Sequence, residues 1–413
     1  MRGLPPGRQA RNDGDVSRGP ASPRPALPRN VRVLGFVSLL MDLSSEIYHA
    51  LLPVFVTVTL GLPAVALGAI DGIAEATANF AKLAAGRLSD RTRRRKPWIL
   101  AGYGLAALSK PLFPLAGSAG EVLGARFADR LGKGIRGAPR DAMIADEAAP
   151  AVRGRAFGLR QSLDTVGALV APLAAVGLML ALADNIRMVF WIAVVPALLS
   201  FLLAWLALRE PSRHVEPGAT RPSFSGFREI DRPTRRLLAV AFLFTLARFS
   251  EGFLILRGLE AGLSATFAPL VLVLFNLAFF ALALPAGSLS DRRSPKSILM
   301  AGMALLVVAD LILAQPLGLA GLVVGVALWG GHMALTQGIF ARMIADAAPP
   351  QLRATSFGAF HFVTGIGTLL ASLAAGLLWD RHGYSATFIA GAAMAAVALA
   401  MLNLLPDEPR RTA

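Results

Sequence analysis

The amino-acid sequence predicts an all-α membrane protein with 12 transmembrane helices in two pseudo-symmetric six-helix bundles. Apolar residues make up 55% of the chain and charged residues only 16%, with a mean hydropathy of +0.58. This composition is typical of a chain that crosses a bilayer many times. Apolar runs recur along the chain, each long enough to span about 30 Å of hydrocarbon as a helix. Two sequence motifs also occur twice.

The two repeated motifs have almost the same spacing. GRLSDRTRRRK at residues 86–96 returns as GSLSDRRSPK at residues 287–296, 201 positions later. IADEAAPAVRGRAFG at residues 144–158 returns as IADAAPPQLRATSFG at residues 344–358, 200 positions later, with eight of fifteen positions identical. A shared period of this length indicates that the chain contains two copies of one unit.

Composition then divides the chain into segments. Residues 1–32 are rich in Arg, Pro and Gly, which predicts a disordered tail. A basic linker at 209–236 separates an N-terminal bundle at 33–208 from a C-terminal bundle at 237–405, and residues 406–413 form a second tail. The predicted spans are 33–59, 64–88, 97–117, 120–142, 156–182, 187–208, 237–259, 265–289, 296–315, 318–343, 355–379 and 385–405.

Arginine gathers in alternate loops, which predicts the orientation in the membrane. The tails, the linker and the turns at 89–96, 143–155 and 290–296 are rich in Arg, whereas the other turns contain little beyond Arg187, Arg257 and Arg381. By the positive-inside rule, both termini lie in the cytoplasm. Few of the 41 basic residues are Lys, a bias that fits a GC-rich bacterial genome, so we expect a multi-pass protein of the bacterial inner membrane.

Composition also argues against several other classes of protein. The chain has no cysteine, which excludes disulfides, thiol catalysis and thiolate metal sites. Its basic residues lie in loops between apolar runs, so a nucleic-acid partner is not expected. No GxxxxGK[ST] phosphate-binding loop and no Ser/His/Asp or metal constellation is present. We therefore expect neither an enzyme nor a resident cofactor.

Carboxylates within the predicted spans are candidates for proton coupling. A charge at the bilayer centre costs roughly 2.5–3.5 kcal/mol, so such residues are expected to face water or one another. Proton carriage needs a buried carboxylate that takes up and releases a proton. Two pairs lie one helical turn apart, and a fifth carboxylate lies in the other half; the five are Asp42, Glu46, Asp71, Glu75 and Glu251.

Comparison of the two repeats predicts the substrate cavity, because residues without a counterpart in the other half are candidates for function. The charges of the fourth span have no counterparts in the tenth: Asp129 aligns with Trp329 and Lys133 with Met333. One half therefore offers an ionic wall and the other a largely aromatic and neutral one. The substrate-cavity candidates are Asp129, Arg130, Lys133, Arg136, Arg160, Asp164, Arg248, Trp329, His332 and Gln337.

Two simpler explanations of these residues stay open. Asp129 and Lys133, one turn apart, suit an intrahelical ion pair that only stabilises the bundle. The histidines His49, His332 and His361, together with carboxylates of the first span, suggest a metal site, although no ligand spacing supports one.

The motif GRLSDRTRRRK resembles the loop between helices 2 and 3 of the major facilitator superfamily. GSLSDRRSPK resembles the corresponding loop of the second half, between helices 8 and 9. Residues 130–134 (RLGKG) resemble the helix 4 motif, with Lys133 where Gln is usual. Residues 167–172 (GALVAP) resemble the helix 5 motif of antiporter branches, with Ala171 where Gly is usual. The resemblance covers residues 33–405. The motif DLSSE at 42–46 is similar to one of a largely uncharacterised bacterial branch of the superfamily.

The resemblance implies that helices 1, 4, 7 and 10 line a central cavity and that Arg130 acts in proton coupling. It also implies that Asp90 and Arg91 help to latch the two halves on the cytoplasmic side. The gating-loop candidates are Gly86, Asp90, Arg91, Gly287, Asp291 and Arg292.

These observations together predict a secondary active transporter that moves a small organic solute by alternating access, with proton-coupled export. The alternative is an organic-anion symporter or exchanger that uses the cationic face of helix 4. A transporter-shaped receptor that moves nothing is a third reading, against which the costly intramembrane charges argue. The expected partners are a small-molecule substrate, protons and the lipid bilayer, and the protein is expected to be a monomer.

Overall fold

The structure is a computed structural model, and it describes residues 26–92, 94–210, 230–290, 293–348 and 352–405. These residues form helices and short connections, with no β-strand among them. Most of the predicted N-terminal tail, most of the predicted linker and the whole C-terminal tail lie outside the described residues. The end of the predicted N-terminal tail is helical, because α1 begins at Arg29.

Two helices of the first half of the chain begin at side-chain caps. Ser118 accepts a hydrogen bond from the backbone N–H of Glu121, and Asn185 accepts one from Met188, so both helices start with a satisfied N–H group. The helices are α1 (Arg29–Val54), α2 (Ala64–Thr92), α3 (Lys96–Ser109), α4 (Leu112–Leu115), α5 (Ala119–Glu147), α6 (Pro150–Ala181) and α7 (Ile186–Ala207). A π-helical turn, Phe55–Thr59, extends α1.

The second half of the chain is helical in the same way. Its helices are α8 (Arg232–Leu246), α9 (Gly252–Glu260), α10 (Leu270–Ser290), α11 (Pro295–Leu313), α12 (Gly318–Ala347) and α13 (Arg353–Asn403).

Several predicted spans differ in detail from the structure. The span predicted at 237–259 is broken, because residues 247–251 leave the helix between α8 and α9. The spans predicted at 355–379 and 385–405 form the two arms of α13. Gly383 separates the arms with a φ of 79°, a left-handed conformation that favours glycine.

The packing of the helices repeats between the halves. In the first half α1 packs on α6, α2 on α5, and α3 on α5. In the second half α8 packs on α13, α10 on α12, and α11 on α12. This correspondence follows the sequence repeat. Contacts between the halves join α2 to α13, α6 to α10, and α1 to α9.

Six helical stretches among the described residues are long and apolar enough to cross a membrane. The other predicted spans fall short for physical reasons. Three helices that form parts of them, α3, α8 and α9, have only 14, 15 and 9 residues because the chain breaks within the span. The helix α5 is long but carries many charged residues. The six stretches are Arg29–Thr59, Val152–Ala181, Ile186–Ala207, Pro295–Leu313, Gly318–Ile344 and Thr355–Asn403.

The molecule has two ends, which we name by the chain segments that lie there. The motif end holds the end of α2 and the start of α3, and the far end holds the turn between α1 and α2. From the far end, α2 runs antiparallel to the first arm of α13. A Cβ built on Gly68 would overlap the carbonyl oxygen of Ser372, and one on Gly376 would lie 2.5 Å from the Cα of Val65. These glycines allow the halves to touch backbone to backbone near the far end.

Candidate functional site

A cavity of about 560 Å³ lies between the two halves of the chain. Its walls come from α1, α2 and α5 on one side, and from α8, α10, α12, α13 and the break before α9 on the other. Lining residues nearer the motif end, such as Lys133 and Gln337, are exposed, whereas Asp71 and Ser372 nearer the far end are buried. The cavity therefore opens toward the motif end.

The wall from the first half is ionic, and its pairs join different helices. Arg126 of α5 lies 3.2 Å from Asp71 of α2, measured from Nη2 to Oδ1. Arg130 lies 3.1 Å from Glu75, measured from Nε to Oε1. Each pair ties α5 to α2 beside the cavity, which holds the four side chains in place and compensates their charges.

A third ion pair lies behind this wall. The Lys110 ammonium is 2.9 Å from Oδ1 of Asp129 and donates to the hydroxyl of Ser45 at 2.9 Å. Lys110 and Asp129 are both buried. The structure thus pairs Asp129 with a neighbouring helix rather than with Lys133 along its own helix, so the intrahelical alternative does not describe this residue.

His49 lies between two carboxylates from opposite halves of the chain. Its Nδ1 is 3.1 Å from Oε2 of Glu46, one turn earlier on α1. Its Nε2 is 3.7 Å from Oε2 of Glu251, which precedes α9 in the other half. This contact between titratable side chains therefore crosses from one half to the other at the cavity.

A hydrogen bond also crosses the cavity beside this histidine. The Ser250 hydroxyl donates to Oδ2 of Asp71 at 2.6 Å, and the Ser250 backbone N–H donates to the hydroxyl of Ser372 at 3.2 Å. Ser250 lies in the break between α8 and α9. The break therefore replaces helix hydrogen bonds with contacts to two other helices.

The wall from the second half is largely aromatic. Its rings contact one another, with centroids 5.8 Å apart for Phe244 and Phe340 and also 5.8 Å apart for Phe275 and Trp329. The Trp329 indole N–H donates to Oδ1 of the buried Asp310 at 3.1 Å. We call these rings the aromatic wall; its members are Phe244, Phe249, Phe275, Trp329, Phe340 and Phe360.

Two cations line the cavity without a carboxylate partner among the described residues. No carboxylate oxygen of the described chain lies within ion-pair distance of Lys133 on α5 or of Arg248 in the break before α9. The Arg248 guanidinium instead contacts the sulfur of Met333 and lies 5.7 Å from the ring centroid of Phe244. Its buried Nε has no hydrogen-bond partner.

The structure brings half of the predicted substrate-cavity residues into the cavity lining. Arg130, Lys133, Arg248, Trp329 and Gln337 line it. Asp129 lies behind the ionic wall, and His332 lies behind the aromatic wall. The centroid of the His332 ring is 4.6 Å from that of Trp329, and neither ring nitrogen of His332 is hydrogen-bonded. The remaining three residues lie closer to the motif end.

These three residues belong to a polar cluster that the first half makes within itself. The Arg136 guanidinium lies 4.7 Å from the ring centroid of Tyr103. Arg160 donates to Oδ2 of Asp164 at 2.5 Å, and its Nε lies 3.8 Å from Asp141. They are absent from the cavity lining.

The five proton-coupling candidates fall into three settings. Glu46 and Glu251 share His49, while Asp71 and Glu75 each face an arginine, and all four line the cavity. Asp42 does not line it; its Cβ faces Gly167 of α6, where an added Cβ would lie 3.1 Å away. A metal site gains no support, since no group of three His, Asp or Glu residues within the described ranges is arranged to hold an ion.

The side-chain surroundings of the gating-loop candidates are described only in the first half. Asp90 pairs with Arg95 at 2.5 Å, and Arg95 also lies 3.5 Å from Asp146. This network stays within one half of the chain. Gly86 faces Ala138 of α5, where an added Cβ would be 3.3 Å away, and Arg91 lies in the last turn of α2. Gly287 lies in α10, and the two candidates outside the described residues are Asp291 and Arg292.

Sequence reasoning missed several residues that shape this site. The sequence suggests His49 only as a metal ligand, although its position one turn after Glu46 also indicates an ion pair. Ser250, Lys110 and Asp310 were not selected as site residues. No local pattern marks a hydroxyl in an apolar run as the partner of a carboxylate 179 positions away.

Comparisons with known proteins agree with this architecture. The family model of the Major Facilitator Superfamily matches residues 34–257 and 252–413. An uncharacterized MFS-type transporter of Methanocaldococcus jannaschii is 31% identical over 379 residues, which are 90% of this chain and 93% of that protein. The nucleoside transporter NupG aligns with a TM-score of 0.74 at 12% identity, over 91% of this chain and 98% of that one. A D-xylose-proton symporter aligns with a TM-score of 0.72 at 16% identity, over 91% and 97%. At such identities the two structures show a shared fold alone.

Proposed function

Because this chain belongs to the Major Facilitator Superfamily, we propose that it is a proton-coupled secondary transporter that moves a small amphipathic organic solute by alternating access. The superfamily assignment makes the chain an integral membrane transporter. The coupling ion, the solute and the direction are the proposed part.

The proposal includes the predicted membrane topology. Twelve spans result if α3 with α4 forms one span, α8 with α9 forms one, and the two arms of α13 form two. The halves at 33–208 and 237–405 then act as two six-helix bundles that rock about the cavity. The Arg-rich loops assign the motif end and both termini to the cytoplasm. In that orientation the cavity faces inward.

The contact of His49 with both Glu46 and Glu251 is the observation that carries proton coupling. A protonated imidazole attracts both carboxylates, whereas a neutral one has a single N–H to donate. Because Glu251 belongs to the opposite half, the protonation state of His49 changes the attraction between the halves. Arg126, Glu75 and Arg248 also line this part of the cavity and act on the same charge balance.

Two coupling modes have support. Export in exchange for protons, the mode predicted from the sequence, is supported by the antiporter-like residues 167–172 and by the aromatic wall. Symport or exchange of an organic anion is supported by Lys133 and Arg248, which carry charge without a carboxylate partner. A D-xylose-proton symporter shares the fold, which makes proton coupling compatible with this architecture.

Proteoliposomes that contain a pH-sensitive dye test the proposal. The probes are three compounds with one ring system and different fixed charge: naphthalene sulfonate, naphthalene sulfonamide and naphthyl trimethylammonium. An inward solute gradient raises the lumenal pH if protons leave in exchange, and lowers it if protons enter with the solute. Protein-free liposomes give the passive leak.

The variants Glu46→Gln, Glu251→Gln and His49→Gln are expected to abolish the solute-dependent pH change. Glu260→Gln, an exposed carboxylate at the end of α9, is the matched control and is expected to leave it intact. Solute movement that persists without any pH change in the wild-type protein would remove proton coupling. Binding of a probe without any movement would favour the receptor reading instead.

A further inference from the structure

We infer that the solute is an amphipathic organic anion, with its anionic group held between Lys133 and Arg248 and its apolar part on the aromatic wall. This inference rests on the proposed function, because it names the substrate class of the same cavity. The charges that line the cavity differ in the partners they already have.

The cavity cations fall into two classes. Arg126 and Arg130 are 3.2 and 3.1 Å from carboxylate oxygens of Asp71 and Glu75. Lys133 and Arg248 also line the cavity, but no carboxylate within the described ranges compensates them at ion-pair distance. Lys133 is exposed and Arg248 is half-buried, and a cation without a resident ion pair can bind an anion without breaking one. These two positions are therefore the ones where an incoming anion gains most.

Arg248 gives the stronger indication of a missing acceptor. A guanidinium has five N–H donors that match the oxygens of a carboxylate, sulfonate or phosphate. Within the described part of the chain, the recorded contacts of Arg248 are a thioether sulfur and an aromatic ring, and its buried Nε donates to nothing. An oxyanion in the cavity would supply the oxygen acceptors that the protein does not.

The carboxylates of the cavity are less available to a cationic solute. Asp71 has Arg126 and accepts from the hydroxyl of Ser250 at 2.6 Å. Glu46 and Glu251 share His49. A cation would have to displace a resident partner from each of them, whereas an anion displaces none from Lys133 or Arg248.

The aromatic wall accounts for the apolar part of the solute. Its rings line the same cavity as Arg248, and Phe244 is in contact with both Arg248 and Phe340. Aromatic faces of this kind bind flat apolar groups. A cavity of about 560 Å³ lies within the range of roughly 300–1,000 Å³ that suits a small organic ligand.

An anion between Lys133 and Arg248 would join the two halves, since Lys133 lies on α5 and Arg248 lies before α9. Its negative charge would favour a protonated His49 in the same cavity. Solute and proton then bind together rather than in competition. The inference thus predicts that the anion moves in the same direction as the proton, contrary to the export by exchange predicted from the sequence.

Calorimetry in lipid nanodiscs, with no gradient present, tests the binding site separately from transport. Naphthalene sulfonate is expected to bind, and naphthyl trimethylammonium is expected to bind at least tenfold more weakly. Lys133→Gln and Arg248→Gln are each expected to weaken sulfonate binding by about tenfold or more, the effect of losing one charge-assisted hydrogen bond. Lys133→Arg and Arg248→Lys keep the charge and are expected to retain most of the affinity.

Lys82→Gln, an exposed lysine of α2 that does not line the cavity, is the matched control. Equal or tighter binding of the ammonium probe, no sulfonate binding at millimolar concentration, or unchanged affinity in the Lys133 and Arg248 variants would each overturn the inference. Sulfonate binding that depends on Lys133 without a pH change in proteoliposomes would support the anion site and contradict proton coupling.

Discussion

Asp380 forms a contact between the halves at the far end whose removal should shift the transport cycle. Its Oδ1 accepts the backbone N–H of Ala64 at 2.8 Å, and its Oδ2 accepts that of Val65 at 2.8 Å. These are the first two N–H groups of α2, which have no partner within their own helix. A carboxylate here also interacts favourably with the positive end of the helix dipole.

The size of the effect follows from these two hydrogen bonds. A hydrogen bond to a charged group contributes about 1.5–3 kcal/mol when it is well shielded from water. Asp380 is exposed, so we take about 2 kcal/mol for the two bonds together. Asp380→Asn leaves one acceptor and turns an amide group toward the other N–H. The loss of one of the two bonds, about 1 kcal/mol, changes the ratio of closed to open far ends by about 5-fold.

Spin-label distance measurements read this ratio directly. The chain contains no cysteine, so labels can be introduced without removing native thiols. Val58 and Leu317 are 59% and 55% exposed and lie at the far end in opposite halves. Asp380→Asn is expected to transfer population from the shorter to the longer distance between labels at these positions.

A matched control separates the carboxylate from a general change of local charge. Arg381→Gln alters the neighbouring exposed residue and is expected to leave the distance distribution unchanged. If Asp380→Asn gives the wild-type distribution in both lipid and detergent, then the two hydrogen bonds do not hold the far end closed and the reasoning is wrong.

Three further substitutions test the packing behind the cavity. Lys110→Met is expected to lower the free energy of unfolding by about 3–5 kcal/mol, because Asp129 is left buried without its partner. Adding Asp129→Leu is expected to restore most of the lost free energy. Denaturant titration measures both variants. Gly68→Ala is expected to open the far end in the spin-label assay, since its Cβ would overlap Ser372, and an unchanged distance would contradict this. Asp310→Ala is expected to lower the free energy of unfolding by about 1–3 kcal/mol, because the buried indole N–H of Trp329 loses its acceptor. Asp310→Asn keeps an acceptor and is expected to have a much smaller effect. Thermal unfolding distinguishes the two variants.

The sequence predicted the helices α5 and α7 well because their first turns carry capping residues. The span predicted at 120–142 lies inside α5, which Ser118 caps. The span predicted at 187–208 matches α7, which Asn185 caps, to within one residue at each end. The break at 247–251 was not predicted, because the apolar run continues through it. That break depends on contacts of Ser250 with two other helices, which no local pattern contains.

The sequence predicted which types of residue form the two walls of the site, but not which side chains form ion pairs. Comparing the repeats predicted an ionic wall in the first half and a largely aromatic one in the second, because the comparison needs only the residues and their period. It did not give the partners: Glu75 meets Arg130, and Asp129 meets Lys110 rather than Lys133. Helical period places residues on a face, but which faces meet depends on the packing of several helices.

His49 shows why this difference matters for function. Its spacing from Glu46 was visible in the sequence, and alone it describes a local ion pair with no consequence for transport. The consequence comes from Glu251, 3.7 Å away in the other half, which faces His49 only because the helix breaks before α9. A proton on His49 acts on both halves through this contact. A variant that restores a continuous helix across residues 247–251 should therefore uncouple solute movement from protons even with all three side chains retained.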